Sequence, residues 1–246
     1  MFTPVDTEGK VAVAELRKLV DLLIAQDMDG LYVLGSTGQG VLFTEEERKH
    51  VLEEVMQVNA GRLPIMVQVG SMTTDESIRL TKHAASLGVD AISSVGPIYF
   101  SGNQATALEH YRRIANASHL PFFPYQLGNN TMGDIVGFVD ELLKIPNVGG
   151  MKLTTGQLLE IAIIKNHVGD RLQLFSGADE LMCHASLCGT SGAIGSFYNL
   201  WGPTCKRALT MFKAGDYQYA KEFMLEFQKI IMHVLPNIWT FLRQAM

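Results

Sequence analysis

Seven times along the chain a short apolar run closes on glycine, serine or threonine and gives way to a segment with helical spacing. The runs are "GLYVLGSTG" (30–38), "PIMVQVGS" (64–71), "AISSVGPIY" (91–99), "PFFPYQL" (121–127), "VGGMKLTT" (148–155), "LQLFSGADE" (172–180) and "GAIGSFYN" (192–199). Between them lie helical stretches such as "TEEERKHVLEEVMQV" and "DESIRLTKHAASLG". The first opens on a capping box, Thr44 with Glu47 three residues on. The second has Asp75 ahead of its apolar stripe and Gly88 as its stop. Strands apolar on both faces, alternating with helices through short links, predict a parallel sheet covered by helices. No low-complexity linker or change of composition divides the chain, so one domain over residues 1–246 is expected.

The alternation favours an α/β barrel, a TIM-type (β/α)8 fold, which needs eight strands. The helix "AVAELRKLVDLLIAQ" (12–26) requires a strand ahead of it, and only "MFTPV" stands there. The expected fold is therefore a barrel lacking most of strand 1. Its neighbouring strands would show unpaired backbone edges, and a void would lie beneath Lys152. A doubly wound open sheet would escape the missing strand, but no G-x-G-x-x-G follows the first run to support dinucleotide binding.

Composition narrows the partners. A net charge of −5 and a pI near 5.8 provide no basic field for nucleic acid or an anionic membrane surface. No apolar run approaches the ~20 residues of a membrane span, and "MFTPVDTEGK" is not a signal-peptide pattern. Cys183, Cys188 and Cys205 show no C-x-x-C spacing and read as thiols of a reducing compartment. His184 lies beside Cys183, but no second pair completes a zinc site. A cytoplasmic protein is expected.

In a barrel the chemistry sits at the C-terminal ends of the strands. Those ends here are Ser36 and Thr37, Ser71, Tyr99, Tyr125, Lys152, Asp179 with Glu180, and Ser196. A strand-end lysine alone is an ordinary surface charge. Converged with hydroxyls and phenols in one mouth, Lys152 gains a second reading. Burial disfavours its charged form and frees the amine to attack a carbonyl and form an imine. "GSTG" (35–38) places two hydroxyls between glycines, a composition that can point N–H groups and hydroxyls at a carboxylate. Tyr125 reads as a packed ring or, beside a reactive lysine, as a proton carrier. Asp179 and Glu180 read as a solvated helix start, where acidic residues suit the dipole. The twelve methionines read as core filler.

These residues carry a resemblance. "GSTGQG", a tyrosine six residues before Thr131, "GMK" and "GAIGSFYN", in this order and spacing, resemble the N-acetylneuraminate lyase/dihydrodipicolinate synthase family, class I aldolases on a TIM barrel. The resemblance covers nearly the whole chain. It implies that Lys152 is the Schiff-base lysine and Tyr125 the catalytic tyrosine, and that Ser36 and Thr37 grip the carboxylate of the pyruvate moiety. Tyr99 would be lent to a neighbouring subunit's site in a homotetramer, and Thr154, Gly177 and Ser196 would contact substrate.

"GADE" (177–180) is similar to the lyase branch, where Asp179 and Glu180 would bind the hydroxyl tail of a sugar acid. Asn130 stands where the synthase branch has an arginine. The implied reaction is reversible cleavage of N-acetylneuraminate to pyruvate and N-acetylmannosamine. It needs no cofactor, because the imine is the electron sink. The alternatives are another pyruvate-dependent aldolase, acting on a keto-sugar acid, a 4-hydroxy-2-oxo acid or as a dihydrodipicolinate synthase, and a non-catalytic relative that binds a keto acid or a partner subunit. Gln39, Gly128, Met132 and Phe197 depart from the family pattern. The C-terminal helical segment, ending at "TFLRQAM", reads as shortened.

Overall fold

The computed structural model describes residues 1–99, 103–127 and 133–246. Gly128, Asn130, Thr131 and Met132, singled out in the sequence, lie outside the described residues. Seven strands appear among the rest: β1 (Leu31–Val33), β2 (Ile65–Gln68), β3 (Ala91–Val95), β4 (Phe122–Leu127), β5 (Gly150–Thr154), β6 (Gln173–Ser176) and β7 (Gly192–Ala193). All pair in parallel, in sequential order. A parallel sheet that always adds its next strand on the same side, through right-handed crossovers, must curl. The product is an open TIM-type barrel with a shortened first strand.

The helices between strands are α1 (Val13–Ala25), α2 (Glu45–Asn59), α3 (Thr74–Ser86), α4 (Gln104–Ala115), α5 (Ile135–Leu143), α6 (Leu158–Val168) and α7 (Met182–Leu187). They are followed by α8 (Tyr198–Lys213), α9 (Tyr217–Val234) and α10 (Ile238–Ala245). The capping box of α2 forms as predicted, with both Thr44 and Glu47 bonded to each other's backbone. In α3 the cap lies two residues earlier than expected. The Thr73 hydroxyl accepts from the Glu76 N–H, and Asp75 sits inside the first turn. Gly88 follows that helix with φ +74°, the left-handed step an ordinary residue resists.

The run at 30–38 yields a strand of only three residues because Leu34 turns to φ +60°. That turn and the left-handed Gln39 (φ +51°) fold "GSTGQG" into a tight loop over the strand end. A Cβ on Gly40 would lie 2.1 Å from the Leu34 carbonyl oxygen, so only glycine closes the loop. The Gln39 side chain accepts from Arg243 of α10 at 3.1 Å, tying this loop to the C-terminal helix.

Residues 1–3 are buried and occupy the gap between β1 and the start of α8. The Met1 nitrogen donates to the Tyr32 carbonyl, and the Phe2 N–H donates to Asn199 Oδ1 at 2.9 Å. The edges expected to be bare are thus partly covered by a single extended stretch, with no ladder between β7 and β1 among the described residues. A cavity of about 560 Å³ extends from the mouth down the barrel interior.

Aliphatic side chains from the strands and the inner faces of α1–α6 form the main core, while α8 and α9 build a second one around Phe197, Met224 and Phe227. Phe197 stacks on Trp201 (5.9 Å between centroids) and meets Phe227 edge-on (6.1 Å), so this departure from the family pattern glues the C-terminal helices to the barrel. The methionines are not all filler. Met151 and Met182 are buried, whereas Met72 and Met232 are more than half exposed. No helix among the described residues is long and apolar enough to cross a membrane.

Candidate active site

Lys152 is the third residue of β5 and only 5% exposed. Its register partner on β4 is Tyr125, and the two rings flanking its amine belong to Tyr125 and Tyr32, each with its centroid 4.2 Å from Nζ. Burial lowers the amine's pKa to about 7, against the opposing pull of the Asp179 carboxylate. An ordinary lysine holds its proton to about 10.4 and carries almost no free amine at neutral pH. Burial leaves this one a far larger free fraction there.

The surrounding hydroxyls are held in chains. The Tyr125 hydroxyl bonds Thr154 Oγ1 at 3.1 Å, on the next strand and two residues past the lysine. The Tyr32 hydroxyl donates to Ser93 Oγ (2.9 Å), which donates to the Phe123 carbonyl (2.8 Å). Burial raises the Tyr32 phenol well above its usual range, so it stays protonated. Thr37 Oγ1 bonds Ser196 Oγ at 2.7 Å, joining the loop after β1 to the one after β7 across the gap.

Gly177 follows β6 directly beneath this cluster. A Cβ there would lie 1.9 Å from Thr154 Oγ1 and 3.1 Å from Lys152 Cε. Its role is to leave room for both.

Asp179 corrects the sequence reading. It opens a 3-10 turn, Asp179–Leu181, but is buried rather than solvated. Burial pushes its pKa up to about 7, and the hydrogen bond from the Phe197 N–H to Oδ2 (2.7 Å) works in the opposite direction. Oδ1 has no partner among the described residues. A Cβ on Gly195 would stand 1.4 Å from that oxygen, so the glycine exists to let the carboxylate in. Glu180 is half-buried beside it.

Two hollows meet here. Lys152, Ser36, Thr37 and Tyr32 line the inner cavity. An outer hollow of about 860 Å³ on the rim includes Tyr125, Gln126 and Leu127, and Ser36 belongs to both. Of the predicted residues, Ser36, Thr37, Lys152 and Tyr125 line these hollows, whereas Thr154, Gly177, Asp179, Glu180 and Ser196 line neither. Tyr99 lies at 74% exposure beyond β3, and Ser71 is buried outside the cavity wall. Sequence reasoning passed over Tyr32, Ser93 and Gly195. A hydroxyl-bearing side chain in mid-strand, flanked by residues such as Leu31 and Val33, was the signal for the first two.

The family model described as the dihydrodipicolinate synthetase family matches residues 1–242. The N-acetylneuraminate lyase of Citrobacter koseri is 34% identical over 233 residues, covering 94% of this chain and 78% of that protein. Among solved structures, N-acetylneuraminate lyase from Mycoplasma synoviae superposes with a TM-score of 0.92 at 27% identity, covering 98% of this chain and 83% of the other. The wild-type sialic acid aldolase of Ruminococcus gnavus gives 0.92 at 27% identity, over 98% and 82%. A match over nearly the whole length, on a barrel whose strand ends carry the lysine, the tyrosine and the hydroxyl loop, means that this chain belongs to the dihydrodipicolinate synthetase family.

Proposed function

We propose that this chain, acting as a single catalytic domain, is a class I aldolase that cleaves N-acetylneuraminate reversibly to pyruvate and N-acetylmannosamine. The observation that carries the reading is the Lys152 amine, buried between two tyrosine rings with its pKa lowered to about 7, in the cavity that also holds Ser36 and Thr37. The lyases and the sialic acid aldolase that it resembles supply the substrate.

Lys152 Nζ attacks the keto carbon of the open-chain sugar acid, whose carboxylate is gripped by Ser36 and Thr37, and the keto oxygen leaves as water. Tyr125, its hydroxyl aligned by Thr154, takes the proton of the C4 hydroxyl as the C3–C4 bond breaks. The bond's electrons pass to the imine nitrogen, giving the enamine of pyruvate. Protonation at C3 and attack of water release pyruvate and restore the amine. The imine is the electron sink, so the scheme calls on no metal or organic cofactor.

By the family's pattern Asp179 and Glu180 bind the hydroxyl tail, and Gly177 and Ser196 contact the substrate. By the family's pattern the protein works as a homotetramer in which the exposed Tyr99 reaches a neighbouring site. Three free thiols are in keeping with the cytoplasm.

The test is reduction with borohydride in the presence of pyruvate, followed by mass measurement and peptide mapping. One pyruvate-derived adduct on the peptide containing Lys152 is expected. An adduct elsewhere, or none at saturating pyruvate, overturns the mechanism and leaves a non-catalytic keto-acid binder.

A further inference from the structure

Two consecutive residues of α4 reach the ends of two adjacent strands. His110 is buried against the end of β3. Its Nε2 stands 3.3 Å from both Ser94 Oγ and the Val95 carbonyl, and its Nδ1 stands 2.9 Å from Thr74 Oγ1 at the start of α3. Tyr111 is fully buried and reaches the end of β4. Its hydroxyl donates to the Tyr125 carbonyl at 3.2 Å and accepts from Gln126 Nε2 at 3.1 Å. Burial raises this phenol well above its usual range, so it keeps the proton it donates. One hydroxyl thus grips the chain on both sides of the peptide link between Tyr125 and Gln126. Side chains alternate along a strand, so Gln126 turns to the helix layer while Tyr125 turns to Lys152. The Tyr111 ring packs on Phe122, with 6.0 Å between centroids, and a Cβ on Gly96 would stand 3.0 Å from its oxygen. The phenol is therefore held at its ring and at its hydroxyl.

We infer that Tyr111 is a positioning residue for Tyr125: by fixing the peptide that follows Tyr125, it sets the direction in which that phenol leaves the strand. The inference rests on the reading of Tyr125 as the proton carrier of carbon–carbon cleavage. Tyr125 is the last residue of β4 with a register partner on β3, Val95. The ladder to β3 stops there among the described residues, so Tyr111 acts where strand pairing gives out. Rotation of the peptide would turn the Tyr125 side chain at its root. The movement is magnified at the far end, where the hydroxyl meets Thr154 at 3.1 Å. Misplacing a reacting group by about 1 Å costs on the order of 10²-fold in rate. Filling the core requires only the ring, which phenylalanine would supply equally. The hydroxyl is what reaches the strand end.

The experiment measures N-acetylneuraminate cleavage and borohydride trapping of pyruvate in the unaltered protein, Tyr111→Phe, Tyr125→Phe and the double variant. Tyr111→Phe keeps the ring and removes only the hydroxyl. Its kcat should fall by roughly ten- to a hundredfold, with KM and the half-saturation of trapping nearly unaltered. In the Tyr125→Phe background the same change should have almost no effect on kcat, since the group it positions is gone. Gln126→Met breaks the other half of the clamp from a half-buried position and should give the same pattern more weakly. Three results overturn the positioning role alone: wild-type kcat in folded Tyr111→Phe (or in Gln126→Met, should the first not fold), trapping lost in step with kcat, or an equal loss of kcat in both backgrounds. No cleavage by the unaltered protein, or wild-type kcat in Tyr125→Phe, overturns the reading of Tyr125 and the inference with it.

Discussion

Tyr125 and Lys152 are register partners on adjacent strands, and the lysine amine stands 4.2 Å from the centre of the tyrosine ring. The relationship has two opposed electrostatic consequences. An aromatic face attracts the charged amine, by about 2 kcal/mol when both are desolvated. Burial penalises the same charge, and lowering the pKa from 10.5 to about 7 corresponds to about 5 kcal/mol. Burial wins. The tyrosine is thus both wall and reagent: its ring helps exclude water from the amine, and its hydroxyl, bonded to Thr154, faces the reacting carbons in the proposed scheme.

Tyr125→Phe separates those roles because the ring remains. Cleavage turnover should fall by roughly 10²–10⁴-fold, the usual contribution of a positioned acid–base group. KM should change far less, and trapping of the pyruvate imine at Lys152 should persist. Steady-state kinetics beside borohydride trapping make the comparison. A variant with unaltered kcat would make Tyr125 a packing residue only.

Imine formation requires the free amine, so its rate should rise with pH through about 7 and level above. The same group affects stability with a defined sign. Between about 7 and 10.5 the unfolded chain holds a proton on Lys152 that the folded chain has lost, so stability rises with pH across that window. Below 7 the full penalty of the buried charge applies. Lys152→Met should therefore raise the melting temperature most below pH 7, by the equivalent of a few kcal/mol (on the order of 1.4 per unit of pKa), and least near pH 10. Thermal scans of both proteins across pH check this. A gain that does not shrink as pH rises would mean the lysine is not buried as a free base.

Gly177→Ala should disturb the site by crowding it, without replacing a reacting group. Its Cβ would fall 1.9 Å from Thr154 Oγ1, forcing the threonine aside and breaking its bond to Tyr125. Overpacking of this kind costs about 1–3 kcal/mol. Adding Thr154→Ala should restore most of the lost melting temperature but not the lost turnover. Recovery of both would remove Thr154 from the alignment of Tyr125.

Asp179 and Glu180 are neighbours with separable effects. Glu180→Ala should lower kcat/KM for the nine-carbon sugar acid by about tenfold, as expected for a lost hydroxyl contact of roughly 1–2 kcal/mol, and leave pyruvate trapping unaltered. Asp179→Asn should do more. Its carboxylate raises the Lys152 pKa, so removing the charge should move the midpoint of the trapping profile below about 7 as well as weaken the sugar acid. Identical trapping profiles in wild type and Asp179→Asn would uncouple the two groups.

The order of strands, the capping box of α2 and the grouping of Lys152, Tyr125 and the "GSTG" loop towards one end of the strands were legible along the chain, because periodicity, capping and turn chemistry are local. So was the run of seven strands, since each apolar stretch closes on its own turn residues. What only the tertiary structure decided depends on distance across the barrel. Asp179 reads as a solvated helix start until Gly195, sixteen residues away, opens a buried slot for it. Tyr32 reads as one more strand residue until β1 and β5 bring its ring against the lysine. Gly177 is one glycine among 23 until Thr154 and Lys152 are seen to need its missing side chain. The chain specifies which groups reach the mouth. How much water they lose there, and hence which of them change protonation state near neutral pH, is set by the packing of all the strands together.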